Sequence, residues 1–446
     1  MRRWSIKKLA DWKNSARRKP LLLLGARQVG KTWLMLDFGK KHYKNVVYVR
    51  FDKDVYVKAS FEKDFDTTRL LNTLHLHTGE HITPGKTLIL LDEIQECPAA
   101  LTSLKYFCED APEHHIIAAG SLLGLEEHIG TGFPVGKVNR LHLYPMSFTE
   151  FLEACGYGRF VELLHSRDFD TIATFQSKYE ELLRTYYYVG GMPEVVAAYV
   201  KHGDMQMVRS IQDDLLADYR NDFGKHATAS EQHFISEIWR HVPEQLAKED
   251  KRFVSSEVLP GVKAEKLRGP IRWLRDAGLV STVHRVRIPE MPLDAYADNA
   301  FKMFFLDLGL LAAQCKLPAS ILLEHNKVFA QYKGALTEQY VLQQLLSDCE
   351  LETFYWSAER AQAEIDFLIQ TDKGVIPIEV KAERNLRAKS LRSFCARYGN
   401  KLAVRTAMGT YQSSAPDTEA SRPYHLIDLP LFAISLIKEE INAHSC

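Results

Sequence analysis

Residues 25–32 read Gly25-Ala26-Arg27-Gln28-Val29-Gly30-Lys31-Thr32, directly after the apolar run Leu21–Leu24. The spacing is G-x-x-x-x-G-K-[ST], a phosphate-binding loop between a short buried strand and a helix. Gly25 and Gly30 allow a turn tight enough to aim backbone N–H groups at phosphate oxygens. Ala26, Arg27, Gln28 and Val29 complete the loop that carries those amides. Lys31 supplies a point charge near the β- and γ-phosphates, Thr32 a hydroxyl for Mg²⁺, and the following helix its positive end. The expected ligand is ATP with Mg²⁺.

A second group of acids lies about sixty residues further on, where the apolar run Thr87–Leu91 ends in Asp92-Glu93. By itself such a run is a common strand entering a loop. Downstream of a phosphate-loop lysine it is the Walker B arrangement: Asp92 holds Mg²⁺ through water and Glu93 polarises the attacking water as general base. The strand His115–Ala119 ends in Gly120-Ser121. Ser121 is a candidate for sensing the γ-phosphate, and the plainer reading makes it the cap of a helix over Leu122–His128. Arg140 is a candidate arginine finger, in cis or from a neighbouring subunit, with an ordinary surface arginine as the alternative.

The third chemical group lies near the other end. Glu364-Ile365-Asp366 opens one strand, Gly374 makes a turn, and a second strand ends in Glu379-Val380-Lys381. Alternation puts Glu379 and Lys381 on one strand face and Asp366 on the same face as Glu364. Upstream, Glu338 falls on an amphipathic helix whose apolar positions are 336, 341, 342 and 345. The plain alternative is an i,i+2 charge pair on a sheet face. From Lys381 to Arg405 there are eight Lys/Arg and one acid, Glu383, with Phe394 and Tyr398 interleaved. That run suits nucleic-acid phosphates, or else forms a solvated helical face.

These groups need elements to hold them. Val46–Phe51 and His115–Ala119 read as further buried strands beside Leu21–Leu24 and Thr87–Leu91. Gly190-Gly191-Met192-Pro193 breaks a helical region, and 194–223 continues as helix, a lid or linker. Ser255–Leu259, then Glu265–Ala277 closed by Gly278, then the basic strand Leu279–Ile288 make the outline of a winged helix-turn-helix. Arg268, Arg272 and Arg275 share a face there and could meet a phosphate backbone, or the module serves protein contacts only.

With 446 residues the chain has room for roughly three domains. Apolar residues at 46% and charged residues at 26% describe a soluble globular protein. Lys+Arg and Asp+Glu both number 57, so there is no global field to recruit nucleic acid and any such contact is local. The seven cysteines (97, 108, 155, 315, 349, 395, 446) include no C-x-x-C, so no zinc site or disulfide framework is indicated and the reducing cytoplasm is the expected setting. No apolar run reaches membrane-spanning length, and the N-terminus lacks the core of a signal peptide.

The Gly25–Thr32 loop, Leu90-Leu91-Asp92-Glu93-Ile94-Gln95, Ala119-Gly120-Ser121-Leu122-Leu123 and Tyr144-Pro145-Met146-Ser147-Phe148 resemble the AAA+-like ATPases of prokaryotes (AAA_14 type) that carry a C-terminal DUF4143 domain. Tyr188-Val189-Gly190-Gly191-Met192-Pro193 and the segment Phe301–Leu310 extend the resemblance over nearly the whole chain. The C-terminal acids with Glu379-x-Lys381 resemble the PD-(D/E)XK nuclease superfamily. That resemblance implies Asp366 and Glu379 as ligands of Mg²⁺ or Mn²⁺, Glu338 as a further ligand, and Lys381 as the group that orients or activates water. The expected fold is α/β. A P-loop NTPase (AAA+-like) domain with a parallel sheet spans 1–160, a helical lid or linker 161–230, a winged helix 231–315 and an α/β nuclease-like domain 316–446. The expected function is ATP hydrolysis coupled to a nucleic-acid-binding C-terminal domain, DNA favoured over RNA, with metal-dependent cleavage as an added activity. The alternative is an ATP-driven switch or scaffold whose C-terminal domain is inactive and binds a partner. A homo-oligomer is compatible with either, and no membrane partner is expected.

Overall fold

A computed structural model describes residues 2–120, 133–224, 229–323, 330–358, 363–382, 389–414 and 423–444. Ser121 and the proposed helix after it therefore lie outside the described residues, as does 383–388 of the basic run. The chain packs as two units, one of Arg2–Tyr144 with Asp276–Gly278, the other of Pro145–Arg275 with Leu279–Cys446. Residues 145–160, read from sequence with the ATPase, pack in the second unit.

The first unit is built on a five-stranded sheet: β1 (Leu21–Leu24), β2 (Asn45–Arg50), β3 (Thr87–Asp92), β4 (His115–Ala119) and β5 (Asn139–His142). Their order is β2-β3-β4-β1-β5 and every pairing is parallel. A parallel sheet is covered on both faces, so its strands carry continuous apolar runs rather than alternation. β1, β3 and β4 are accordingly buried at every position. Because β4 lies between β1 and β3, the loop after β1 and the acids Asp92-Glu93 at the end of β3 emerge at the same sheet edge with one strand between them. Val49, Phe51, Phe61, Leu74, Leu91 and Phe107 belong to the core on one side.

The second unit holds an eight-stranded mixed sheet. Its strands are β6 (Val280–Val286), β7 (Ala297–Phe305), β8 (Phe354–Ser357), β9 (Glu364–Thr371), β10 (Gly374–Val380), β11 (Leu402–Ala407), β12 (Gln412–Ser414) and β13 (His425–Pro430). The order is β12-β13-β11-β10-β9-β8-β6-β7. β9 and β10 form the expected antiparallel hairpin around Gly374. Strand β6, within the segment Leu279–Ile288 read from sequence as a wing, pairs with β7 at the edge of this same sheet and in parallel with β8. The helix Ala330–Ser347 carries Glu338 together with the buried Leu336, Tyr340, Val341 and Leu345.

Two of the motifs noted in the sequence meet inside this unit. Asp307 accepts hydrogen bonds from the Gly191 N–H at 2.7 Å, the Leu310 N–H at 3.1 Å and Gln343 Nε2 at 3.1 Å. Glycine is required because backbone meets backbone: a Cβ on Gly191 would stand 2.0 Å from the Met146 carbonyl oxygen. The Met146 N–H donates to the Gly191 carbonyl at 2.6 Å, so neither strand of chain can retreat. Gly191→Ala is expected to destabilise the protein by about 3 kcal/mol, the upper range for an overpacked site. Thermal unfolding checks it, and an unchanged midpoint would show that this contact yields.

Candidate functional site

The phosphate loop is shaped by three backbone choices. Gly25 sits at φ +150° with its α-carbon against Leu143, where a Cβ would come within 2.3 Å of the carbonyl oxygen. Gln28 adopts a left-handed φ of 64°. Gly30, at φ 94°, is the N-cap of the helix Lys31–His42 and offers no side chain to its amides. The first-turn N–H groups of that helix are thus left for an anion. Ala26 and Val29 are buried, Arg27 is half-buried and Gln28 exposed. Arg3, which the sequence reading did not single out, braces the loop from outside: it donates to the Val29 carbonyl at 3.0 Å and the Tyr144 carbonyl at 2.6 Å.

Lys31, Thr32, Asp92 and Glu93 come together as the spacing predicts. Thr32 Oγ1 donates to Asp92 Oδ2 at 2.8 Å. Tyr48 on β2 donates to the same oxygen at 2.9 Å, and the Glu93 N–H reaches Asp92 Oδ1 at 3.1 Å. Tyr48 is a second contributor that its sequence did not announce, since nothing separates it there from a core tyrosine. Glu93 holds a left-handed φ of 51° and accepts from Gln95 Nε2 at 2.5 Å. Lys31 Nζ donates to the Gly25 and Ala26 carbonyls at 2.9 and 2.8 Å. Burial lowers the Lys31 pKa to about 8, against the opposing charges of Glu93 and Asp92. A buried ammonium resting on carbonyl dipoles gains from an incoming phosphate. The hydroxyl of Thr32 and the carboxylate of Asp92 are hard oxygen donors facing one another, a set that suits Mg²⁺. Arg140 is exposed on β5 opposite Leu22, its guanidinium 4.8 Å from the Phe133 ring centre.

The C-terminal acids also converge, but in company the sequence did not suggest. Lys302 on β7 is 0% exposed. Its ammonium pairs with Glu364, lies 3.4 Å from Glu338 Oε2 and sits 4.9 Å from the centre of the Tyr355 ring. Lys251 makes a close ion pair with the other Glu338 oxygen. Its position follows from local pairing: Arg252 bridges to Lys302, and the Phe253 N–H donates to the Phe301 carbonyl at 2.8 Å. Burial works against the charges of Glu338 and Lys302, yet the mutual attraction wins, so the Glu338 pKa falls and that of Lys302 rises. Lys302 had a signal in the sequence, a lysine inside the otherwise largely apolar Phe301–Leu310 run, since a buried lysine demands a paired acid.

On the neighbouring hairpin Lys381 Nζ lies 2.6 Å from Glu379 Oε1. Asp366 Oδ2 accepts from the Val380 N–H at 2.7 Å. Burial, then the charge of Glu338, pushes the Asp366 pKa up to about 7. The donor set does not fit a divalent ion as folded. Glu338 and Glu364 are committed to lysines, Glu379 shares one oxygen with Lys381, and burial favours the protonated form of Asp366. Of this donor set, Glu379 Oε2 alone is buried without a partner among the described residues. Among the described residues no group of three or more His, Cys, Asp and Glu side chains is disposed to hold a metal ion.

The raised Asp366 pKa has a stability consequence. The folded carboxyl holds its proton to about pH 7, the unfolded one only to 3.8, so the folded state binds more protons between them and loses stability as pH rises through that window. Asp366→Asn is expected to change little near pH ~4 and to raise the unfolding midpoint near pH ~8. Thermal scans at the two pH values check it, and a lower midpoint at the alkaline pH would contradict the assignment.

Parts of the basic run are otherwise engaged. Arg405 is buried in β11 and grips Asp428 through two bonds of 2.5 and 2.7 Å, so it is not available to phosphates. Phe394 is buried and packs with Tyr398 against Trp356, which makes both rings core elements rather than stacking platforms. Lys389, Arg392 and Arg397 remain exposed on the helix Lys389–Tyr398. Arg268, Arg272 and Arg275 are exposed on the helix Ala264–Asp276, whereas Arg285 and Arg287 both bind Asp298.

Residues 17–152 match the family model of an AAA domain, 180–320 that of a domain of unknown function (DUF8612), and 333–432 that of a second one (DUF4143). The chain thus carries an AAA-type ATPase domain, with the α/β fold of the P-loop NTPases, and a DUF4143 domain within the mixed-sheet unit. No curated protein matches it. Among solved structures, the chain is similar to the Walker-type ATPase of Pyrococcus abyssi at 15% identity and a TM-score of 0.45, covering 71% of this chain and 95% of that one. The RuvB Holliday junction branch migration motor of Thermotoga maritima aligns at 16% identity and a TM-score of 0.30, covering 65% and 90%. The Aeropyrum pernix Orc1 protein in complex with DNA aligns at 12% identity and a TM-score of 0.26, covering 70% and 90%. No described helix is long and apolar enough to cross a membrane.

Proposed function

We propose that the chain is an ATP hydrolase whose nucleotide state governs a nucleic-acid-binding C-terminal unit. The convergence of Thr32, Asp92 and Glu93 beside the phosphate loop carries the hydrolase half of this reading. The loop amides and Lys31 bind and orient the phosphates. Thr32 and Asp92 would hold Mg²⁺ when nucleotide is bound, and the ion would offset the phosphate charge there. Glu93 accepts a proton from the attacking water. Ser121 senses the γ-phosphate and Arg140 contributes charge to it, from the same chain or a neighbouring copy. The six described cysteines are free thiols, which suits the cytoplasm.

The exposed Arg268, Arg272 and Arg275, with Lys389, Arg392 and Arg397, support the nucleic-acid half, duplex DNA being the favoured partner. Fluorescence anisotropy with a labelled duplex tests it. Glu93→Gln loaded with ATP and wild type loaded with ADP are expected to differ in affinity, and binding should weaken steeply with salt. Equal affinities in the two states would overturn the control by nucleotide.

The C-terminal carboxylates are proposed not to cut, because lysines already neutralise Glu338, Glu364 and Glu379 and burial favours the protonated form of Asp366. One observation favours a second reading, metal-dependent cleavage at Asp366, Glu379 and Lys381: the buried Glu379 Oε2 lacks a partner that a cation would supply. Plasmid incubated with Mg²⁺ or Mn²⁺ decides between them. The non-cutting reading expects no nicking beyond that of an Asp366→Ala Lys381→Ala variant, while nicking lost in that variant would establish the second.

A further inference from the structure

Within the second unit, the helix Met205–Asp222 and the turn that follows the helix Leu308–Gln314 border a cavity of about 450 Å³. Arg209, Asp213, Leu216 and Arg220 line it from the helix. Their spacing of four, three and four residues places all of them on one helix face. Tyr188, Gln314 and Lys316 complete its polar wall, so three cations face one acid. Apolar side chains, Leu317 among them, fill the rest, and a low-dielectric wall concentrates the field of the cations.

The cations differ in how they are held. Arg209 is fixed: Nη2 donates to the Leu317 carbonyl at 2.7 Å, and the guanidinium lies 4.5 Å from the Tyr188 ring centre. Its Nη1 is shielded from solvent with no hydrogen-bond partner, so the protein leaves this guanidinium only partly satisfied. Arg220 and Lys316 are exposed and make no ion pair among the described residues. Lys316 is presented by a left-handed turn at φ 54°. A planar, pre-positioned guanidinium flanked by two unneutralised cations is an arrangement suited to phosphate oxygens. The volume is that of a pocket for a small molecule, not of a groove for a duplex.

We infer that this cavity binds a small phosphate-bearing ligand of nucleotide size, at a site separate from the phosphate loop. It lies in the segment that matches DUF8612, and neither ATP hydrolysis nor the carboxylate cluster uses its residues. The test uses the full chain with Lys31→Ala, which removes the loop's own affinity, titrated by calorimetry with ADP and with pyrophosphate. One of the two is expected to bind at submillimolar concentration. In the same background Arg220→Glu with Lys316→Glu should weaken it about tenfold or more, since two attractions become repulsions. Both positions are exposed, so thermal unfolding of that variant should stay unchanged. Pyrophosphate binding as tightly as ADP would support the proposal with a phosphate-only ligand, and tighter ADP would support it with a nucleoside. No binding of either probe, or binding that the charge reversals leave intact, would overturn it. So would a single-stranded oligonucleotide whose binding alone is lost on charge reversal.

Discussion

Lys31→Ala is expected to abolish nucleotide binding, and Glu93→Gln to bind ATP while turning it over about 10²–10⁴-fold more slowly, the contribution of a positioned general base. The two variants separate because the residues act at different moments. Lys31 rests on the Gly25 and Ala26 carbonyls with its pKa lowered to about 8, so phosphate restores a partner that burial has removed. Its loss is felt in the ground state. Glu93 is held at a left-handed φ by the turn after β3 and fixed by Gln95, so its carboxylate is oriented before the substrate arrives. Glutamine keeps that shape and cannot accept a proton. Equilibrium binding of a fluorescent ATP analogue and a phosphate-release assay read the two effects apart. Normal turnover in Glu93→Gln would remove Glu93 as the base.

The second large effect concerns stability. Lys302→Met is expected to cost about 3–5 kcal/mol, because it removes the partner of Glu364 and leaves Glu338 to Lys251 alone beside a buried apolar side chain. Against a typical total of about 5–15 kcal/mol that is enough to populate a partly unfolded state at moderate temperature. The loss does not come from packing, since methionine has nearly the volume of lysine. Adding Glu338→Gln, Glu364→Gln and Lys251→Met to Lys302→Met should therefore recover most of the stability, the whole set being replaced together. Denaturant unfolding of the full chain measures both. If the single variant is as stable as wild type, the lysine is not the counter-ion of the cluster.

The two ends of the chain differ in how far they were legible in the sequence. The phosphate loop and the Asp92-Glu93 pair carry their chemistry in contiguous residues at strand ends, and parallel strands turn such spacing directly into geometry. The β9–β10 hairpin was equally open, because alternation and Gly374 are local signals. What stayed hidden depends on distant pairing. Lys251 and Lys302 reach Glu338 only because residues 251–253 run along β7 and β7 joins the same sheet as β9. Likewise Arg405 reads as part of a basic run until β13 brings Asp428 beside it. Arg3 and Tyr48 belong to the same class, ordinary residues given a role by the chain that folds over them. The meeting of Gly191 with Met146 and Asp307 shows the converse, motifs whose reason is backbone packing rather than chemistry.

The central claim, that hydrolysis at the Thr32–Asp92–Glu93 site is tied to nucleic-acid binding in the C-terminal unit, is tested most directly by steady-state phosphate release with Mg²⁺-ATP, with and without duplex DNA. Turnover is expected to rise severalfold with DNA, to lose that rise at high salt, and to vanish in Lys31→Ala. A rate that is the same with DNA, with RNA and with neither would contradict it.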